Sequence, residues 1–132
     1  MIALDSNVLI RLLIPDDPIQ ANRARRLLKS TQERGEQCFI SDPVLCEVEW
    51  VLDGAYRALR RDVATAIQHI LTNALFVVDD AASVQRALDL FCRGKGDFSD
   101  YLIGSRGQRR GARTTYTYDR DLRDEEGFTL LR

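Results

Sequence analysis

The sequence predicts a three-layer α/β/α fold with a short, mostly parallel central sheet. Three observations lead there. Short apolar runs alternate with amphipathic stretches at helical spacing, the pattern of a parallel sheet covered by helices. The short runs are apolar throughout, as strands buried on both faces must be. With 132 residues, 45% of them hydrophobic, the chain can fill one core, so a single domain over 1–132 is expected.

Ile2-Ala3-Leu4 reads as a first strand ending at Asp5. From Asn7, the spacing of Val8, Leu9, Leu12 and Leu13 predicts a helix that stops before Pro15. Asp17-Pro18 is a cap followed by proline at the first helical position. Ala21, Ala24, Leu27, Leu28 and Thr31 then share one face until Gly35. Cys38-Phe39-Ile40 is a second strand. Asp42-Pro43 repeats the cap-and-proline start, and Val44, Val48, Val51, Leu52 and Ala55 line the helix it opens. Trp50, Val51 and Leu52 are expected in the core, with an apolar binding groove as the alternative. A helix over Arg61–Asn73 and a strand over Leu75–Val78 follow. Asp80 can cap a helix carrying Val84, Ala87, Leu88 and Phe91, which ends at Gly94. Asp97 or Ser99 can cap the next, with Leu102 and Ile103 inward and Gly111 closing it. Thr114–Thr117 is a fourth strand and Phe128–Leu131 a short fifth.

Composition narrows the function. With 19 basic against 20 acidic residues the net charge is -1, unlike the strongly basic domains that coat nucleic acid in bulk. Arginine outnumbers lysine 17 to 2, for which codon usage is the plainer explanation and phosphate binding the functional one. Three cysteines without a C-x-x-C, and one histidine, speak against a disulfide framework or a zinc site and fit a reduced cytoplasm. Met1–Ile14 lacks the basic start and long apolar run of a secretory leader, and no 18-residue apolar stretch exists.

In doubly wound sheets, sites lie beyond the carboxyl ends of strands, and acids stand there. Asp5 follows the first strand, and Asp119 and Asp121 follow the fourth. Glu47 borders the apolar face of the helix after the second. Asp97 and Asp100 open a helix one turn apart. Carboxylates gathered in one crevice raise each other's pKa, a cost that a divalent cation relieves. Oxygen donors without His or Cys select Mg²⁺ or Mn²⁺. Ser6, Asn7 and Thr117 flank these acids and can orient them by hydrogen bonds; helix capping and β-propensity explain them equally. Without six of the 20 acids, 14 remain against 19 basic residues. Much of that surplus sits at Arg106, Arg109, Arg110 and Arg113, on the helix that Asp97 and Asp100 open, where a phosphate path and a solvated face compete as readings.

The whole chain resembles the PIN domains, in particular the VapC-type toxins of bacterial toxin–antitoxin systems. Met1-Ile2-Ala3-Leu4-Asp5-Ser6-Asn7-Val8-Leu9 is similar to the family's D-[ST]-N-V-L opening. Leu45-Cys46-Glu47-Val48-Glu49-Trp50-Val51-Leu52 resembles L-x-E-V-x-W-V-L. Asp97-Phe98-Ser99-Asp100-Tyr101-Leu102-Ile103 resembles D-F-A-D-A-L-I, and Thr117-Tyr118-Asp119-Arg120-Asp121-Leu122 resembles T-F-D-R-D-F. The resemblance implies a Mg²⁺-dependent endoribonuclease with Asp5, Glu47, Asp100 and Asp119 as its acidic set. Asp97 and Asp121 would support them, and Asp5, Asp100 and Asp119 would hold the metal. It also implies a small antitoxin partner and a homodimer. Where the family favours alanines, Tyr101, Gly104 and Ser105 stand, and Gly104 and Gly107 would each weaken the helix by about 1 kcal/mol. A DNA nuclease of the same fold, a binding module that does not cut, and an Asp-based phosphatase or phosphotransfer domain remain as rivals. The last requires a lysine near the phosphate, and only Lys29 and Lys95 exist.

Overall fold

A computed structural model describes residues 1–132. The chain divides into two units, Met1–Ala81 and Ala82–Arg132. The first carries β1 (Ile2–Ala3), α1 (Ser6–Leu13), α2 (Pro18–Glu33), β2 (Cys38–Ile40), α3 (Asp42–Gly54), α4 (Arg60–Thr72) and β3 (Phe76–Val78). The second is built from α5 (Ala81–Arg93), α6 (Phe98–Arg109), β4 (Thr115–Thr117), a 3₁₀ turn over Arg120–Leu122, and β5 (Phe128–Leu130). All five expected strands form, and every pairing is parallel. They hydrogen-bond as a three-stranded sheet ordered β1-β2-β3 and a two-stranded sheet of β4 and β5.

In the first unit β2 is central. Ile2 is in register with Cys38, and Cys38 in turn with Phe76. Cys38 and Ile40 are buried, as are Leu9, Ile10, Ala21 and Ala24 from α1 and α2, and Leu45, Val48, Val63 and Ile67 from α3 and α4. Proline starts α2 as expected, with the Asp17 carboxylate accepting the Gln20 N–H at 3.1 Å. At α3 the cap is Ser41 rather than Asp42: Ser41 Oγ accepts the Val44 N–H at 3.4 Å. Proline at the second helical position is compatible with a cap one residue earlier, so the motif shifts by one. Trp50 is 55% exposed. A stripe of Leu45, Val48, Glu49 and Leu52 fills the buried face of α3 and leaves Trp50 outside. Arg11 ties α1 to its surroundings by donating to Asp16 Oδ1 at 3.1 Å, Gln20 Oε1 at 2.7 Å and the Tyr56 hydroxyl at 3.3 Å.

In the second unit the core is Val84, Ala87, Leu88 and Phe91 of α5 with Phe98, Tyr101 and Leu102 of α6 and Leu122. Phe91 and Phe98 meet edge to face with centroids 6.5 Å apart. Ile103, expected inward, is 59% exposed, because a buried Leu102 turns the next residue about 100° away. The helix stops at Arg109, with Arg110 at its cap and Gly111 in left-handed backbone at φ 88°. Arg110 and Arg113 therefore lie off the helix on which they were expected. The three cysteines are free thiols, and no helix is long and apolar enough to cross a membrane.

Candidate active site

Each unit presents its own group of acids, and each is held by short local geometry. In the first, Asp5 leaves β1 in extended backbone and caps α1, its Oδ1 accepting the Ser6 N–H at 2.7 Å. The Ser6 hydroxyl, itself buried, donates to Glu47 Oε2 at 2.6 Å and lies 3.5 Å from Asp5 Oδ1. One hydroxyl thus joins an acid at the end of β1 to an acid on α3. Both carboxylates are exposed, so Asp5 is solvated rather than stranded in the core. Asn7 follows in the first turn of α1, also exposed.

In the second unit Asp97 caps α6, and its N–H donates to Asp100 Oδ2 at 2.9 Å. Burial pushes the Asp100 carboxyl above its ordinary range, and the bond from Asp97 pulls it partly back. The negative charges of Asp97, Asp119 and Asp121 push it up again. Asp119 follows β4. Its N–H donates to Thr117 Oγ1 at 3.0 Å, and its Oδ1 accepts the Asp121 N–H at 2.9 Å. Thr117 therefore fixes the backbone of Asp119 rather than its carboxylate. Across both units, Asp5, Glu47, Asp100 and Asp119 each engage one carboxylate oxygen on a neighbour, leaving the second for other partners.

The donors are carboxylate oxygens throughout, and the repulsion from Asp97, Asp119 and Asp121 that adds to burial in raising Asp100 is the kind a cation relieves, so their chemistry fits a hard divalent metal. They form no closed cage, since no three His, Cys, Asp or Glu side chains gather closely enough to hold an ion by themselves. A cation that keeps several waters needs no such cage. Of the arginines, Arg106 is half-buried, while Arg109, Arg110 and Arg113 are exposed.

Residues 2–126 match the family model described as PIN domain. The chain belongs to the PIN domain family. It is 23% identical over 117 residues to a VapC ribonuclease of Aquifex aeolicus (strain VF5), covering 89% of this chain and 86% of that protein. No solved structure matches it.

Tyr101 and Gly104, two of the residues that depart from the resemblance on α6, have close steric partners. Tyr101 is buried, and its hydroxyl accepts the Gly96 N–H at 3.1 Å. A Cβ at Gly94 would collide with the Tyr101 hydroxyl, and one at Gly96 would lie 2.5 Å from Leu122 Cδ2. Two glycines thus make room for a tyrosine in place of an alanine. A Cβ at Gly104 would stand 2.8 Å from Phe128 Cζ, so that glycine lets β5 lay a ring against α6. The reading of the sequence missed Glu49, which is 3% exposed. The signal was there, because residue 49 lies four beyond Leu45 and three before Leu52, on the buried stripe.

Proposed function

We propose that this PIN domain is an endoribonuclease that hydrolyses RNA phosphodiester bonds with Mg²⁺, for which Mn²⁺ can substitute, and that it is the toxin of a toxin–antitoxin pair. The observation that carries the reading is the gathering of Asp97, Asp119 and Asp121 about the half-buried Asp100 carboxyl, which burial raises first and their negative charges raise further. The likeness to a VapC ribonuclease supplies the substrate class.

Asp5, Asp100 and Asp119 hold the metal in this reading, and Glu47 completes the catalytic set. Bound Mg²⁺ would supply an acidified water and neutralise charge on the attacked phosphate. Ser6 keeps the Glu47 carboxylate turned toward Asp5 by donating its proton to Oε2. Asp97 holds Asp100 through its N–H, Asp121 holds one oxygen of Asp119, and Thr117 holds the Asp119 backbone. Asn7 extends the polar surface beside Asp5. Arg106, Arg109, Arg110 and Arg113 receive RNA phosphates, for which a planar guanidinium is well shaped. Residues 1–132 then act as one nuclease domain, which works as a homodimer in the cytoplasm and is silenced by a small antitoxin protein.

The test is cleavage of an RNA mixture by purified protein. Wild-type protein with Mg²⁺ is expected to cut, chelator to stop it, and Asp5→Asn and Asp119→Asn to be inactive with unchanged circular dichroism. Wild-type rates from either variant would overturn the assignment. Expression without an antitoxin should arrest bacterial growth, and normal growth with soluble, Mg²⁺-supplied protein would remove the toxin role.

A further inference from the structure

A second concavity, of about 300 Å³, lies wholly within Ala82–Arg132 and shares no residue with the acids described above. It opens between α5 and α6 and is closed by the start of β5. Phe128 is in register with Thr115 at the entry of β4, whereas Asp119 lies past the exit of that strand. The pocket thus belongs to the opposite end of the β4–β5 pair from Asp119.

Its chemistry is mixed in a specific way. Arg86 and Arg93 are seven residues apart on α5, two turns along one face. Neither makes an ion pair, and Arg93 makes only a 3.4 Å bond from Nε to the Asp89 carbonyl. Leu90 lies between them and gives the wall an apolar middle. From the other side come the Phe128 ring, held edge-on to Tyr101 at 6.2 Å, and two hydrogen-bonding groups, Gln108 and Glu126. Gly104 is what allows the ring to stand there, since a side chain at 104 would displace it.

Two unpaired guanidiniums call for a phosphate or carboxylate. A carboxylate in the same pocket repels a bare anion and an acidic peptide alike. An apolar wall with an aromatic ring suits a flat heterocycle. A ligand that satisfies all three has a phosphate at one end, a ring in the middle and N–H donors at the far edge. The volume is at the lower end of the range of small-ligand sites. We propose that this pocket binds a nucleotide whose base carries an exocyclic amino group. Its phosphate would lie on one of the two arginines with the other flanking the base, its base against Leu90 and Phe128, and its amino edge on Glu126 and Gln108. A carboxylate accepts such an amino group well. The nucleotide can be free or part of an RNA strand, and in the second form the proposal rests on the ribonuclease reading.

The experiment uses the full chain in chelator, titrated with GMP, CMP, UMP and inorganic phosphate and followed by the NMR signals of Leu90 and Phe128. GMP and CMP are expected to bind, with UMP weaker by about tenfold, the worth of one lost charge-assisted bond, and inorganic phosphate weaker still because it leaves Leu90 and Phe128 uncovered. Arg86→Gln with Arg93→Gln should weaken GMP by about tenfold or more, and Glu126→Gln should erase the preference for GMP over UMP. Displacement of a labelled RNA by GMP would assign the pocket to the substrate path. Binding of GMP without displacement would assign it to a free nucleotide. Absence of GMP and CMP binding would overturn the proposal, as would binding indifferent to the arginine changes, or a response to polyglutamate alone. A protein that binds GMP in this way but cuts no RNA would lose the ribonuclease reading and keep the pocket.

Discussion

Gly104 and Gly107 sit one turn apart on α6, and replacing each by alanine should move stability in opposite directions. Both changes gain about 1 kcal/mol of helix propensity. At Gly107 the new Cβ would meet Thr115 Oγ1 at 3.5 Å and Ala112 Cβ at 3.6 Å, ordinary contacts that cost nothing. At Gly104 it would meet Phe128 Cζ at 2.8 Å and Cε2 at 3.2 Å, and the ring is hemmed in by its contact with Tyr101. Overpacking of this kind costs about 1–3 kcal/mol. The net expectation is Gly107→Ala more stable by about 0.5–1 kcal/mol and Gly104→Ala less stable by up to about 2 kcal/mol. For a chain of this length each kcal/mol is roughly 3–5 °C in melting temperature. Thermal and urea unfolding of the two variants and wild type would measure this. In a Phe128→Leu background the penalty at 104 should disappear, which a double-mutant cycle isolates. A Gly104→Ala protein as stable as Gly107→Ala, with no coupling to Phe128, would refute the steric account of the departures on α6.

Ser6→Ala should lower kcat/KM for RNA by about 10–100-fold, typical for loss of a group that orients a ligand, while leaving the melting temperature within a few degrees; an unchanged rate would detach Ser6 from Glu47 in function. Asp100 is raised in the folded protein, so the stability of its protonated form is fully present below the unfolded carboxyl range near 3.8 and is lost as pH rises through the folded value. Asp100→Asn should therefore match wild type at pH 3 and exceed it increasingly toward neutrality in metal-free buffer, and denaturant titrations across pH would show it. Replacing Arg109 and Arg110 together by alanine in an Asp119→Asn background should flatten the salt dependence of RNA affinity by about 1.4 units of log–log slope, whatever the RNA sequence; an unchanged slope would make these arginines a solvated face.

What the sequence disclosed well was the alternation of elements, because short apolar or β-branched runs stand out between amphipathic helical stretches; burial on both faces holds only for β2, since Ala3 of β1 and the middle residues of β4 and β5 are exposed. Cys38–Ile40 coincides with its expected strand, and the others differ by a residue at their ends. The positions of the acids just after strands were equally legible, since chain order alone places them. What escaped was set by side-chain volume across elements. Tyr101 fits only because Gly94 and Gly96 are empty, and Gly104 is tolerated only because Phe128 arrives from β5. Neither partnership has a periodicity to betray it. Trp50 looked like core by its hydrophobicity, yet the phase of the α3 stripe favours Glu49 over Trp50 for burial. Arg113 was assigned to a helix that Gly111 ends first.

Four of the acids each have one oxygen that already accepts a hydrogen bond. Asp5 gives Oδ1 to a peptide N–H, Glu47 gives Oε2 to a hydroxyl, Asp100 gives Oδ2 to another N–H, and Asp119 gives Oδ1 to a third. A cation approaching any of them would meet one oxygen free of these bonds and one that already accepts a hydrogen bond. Calcium gathers six to eight oxygens, often from bidentate carboxylates, and would have to share the hydrogen-bonded oxygens; a smaller ion that takes carboxylates singly and keeps its waters would not. If Asp5, Asp100 and Asp119 hold the proposed metal, the same hydrogen bonds that start α1 and α6 would favour the smaller of two ions of equal charge.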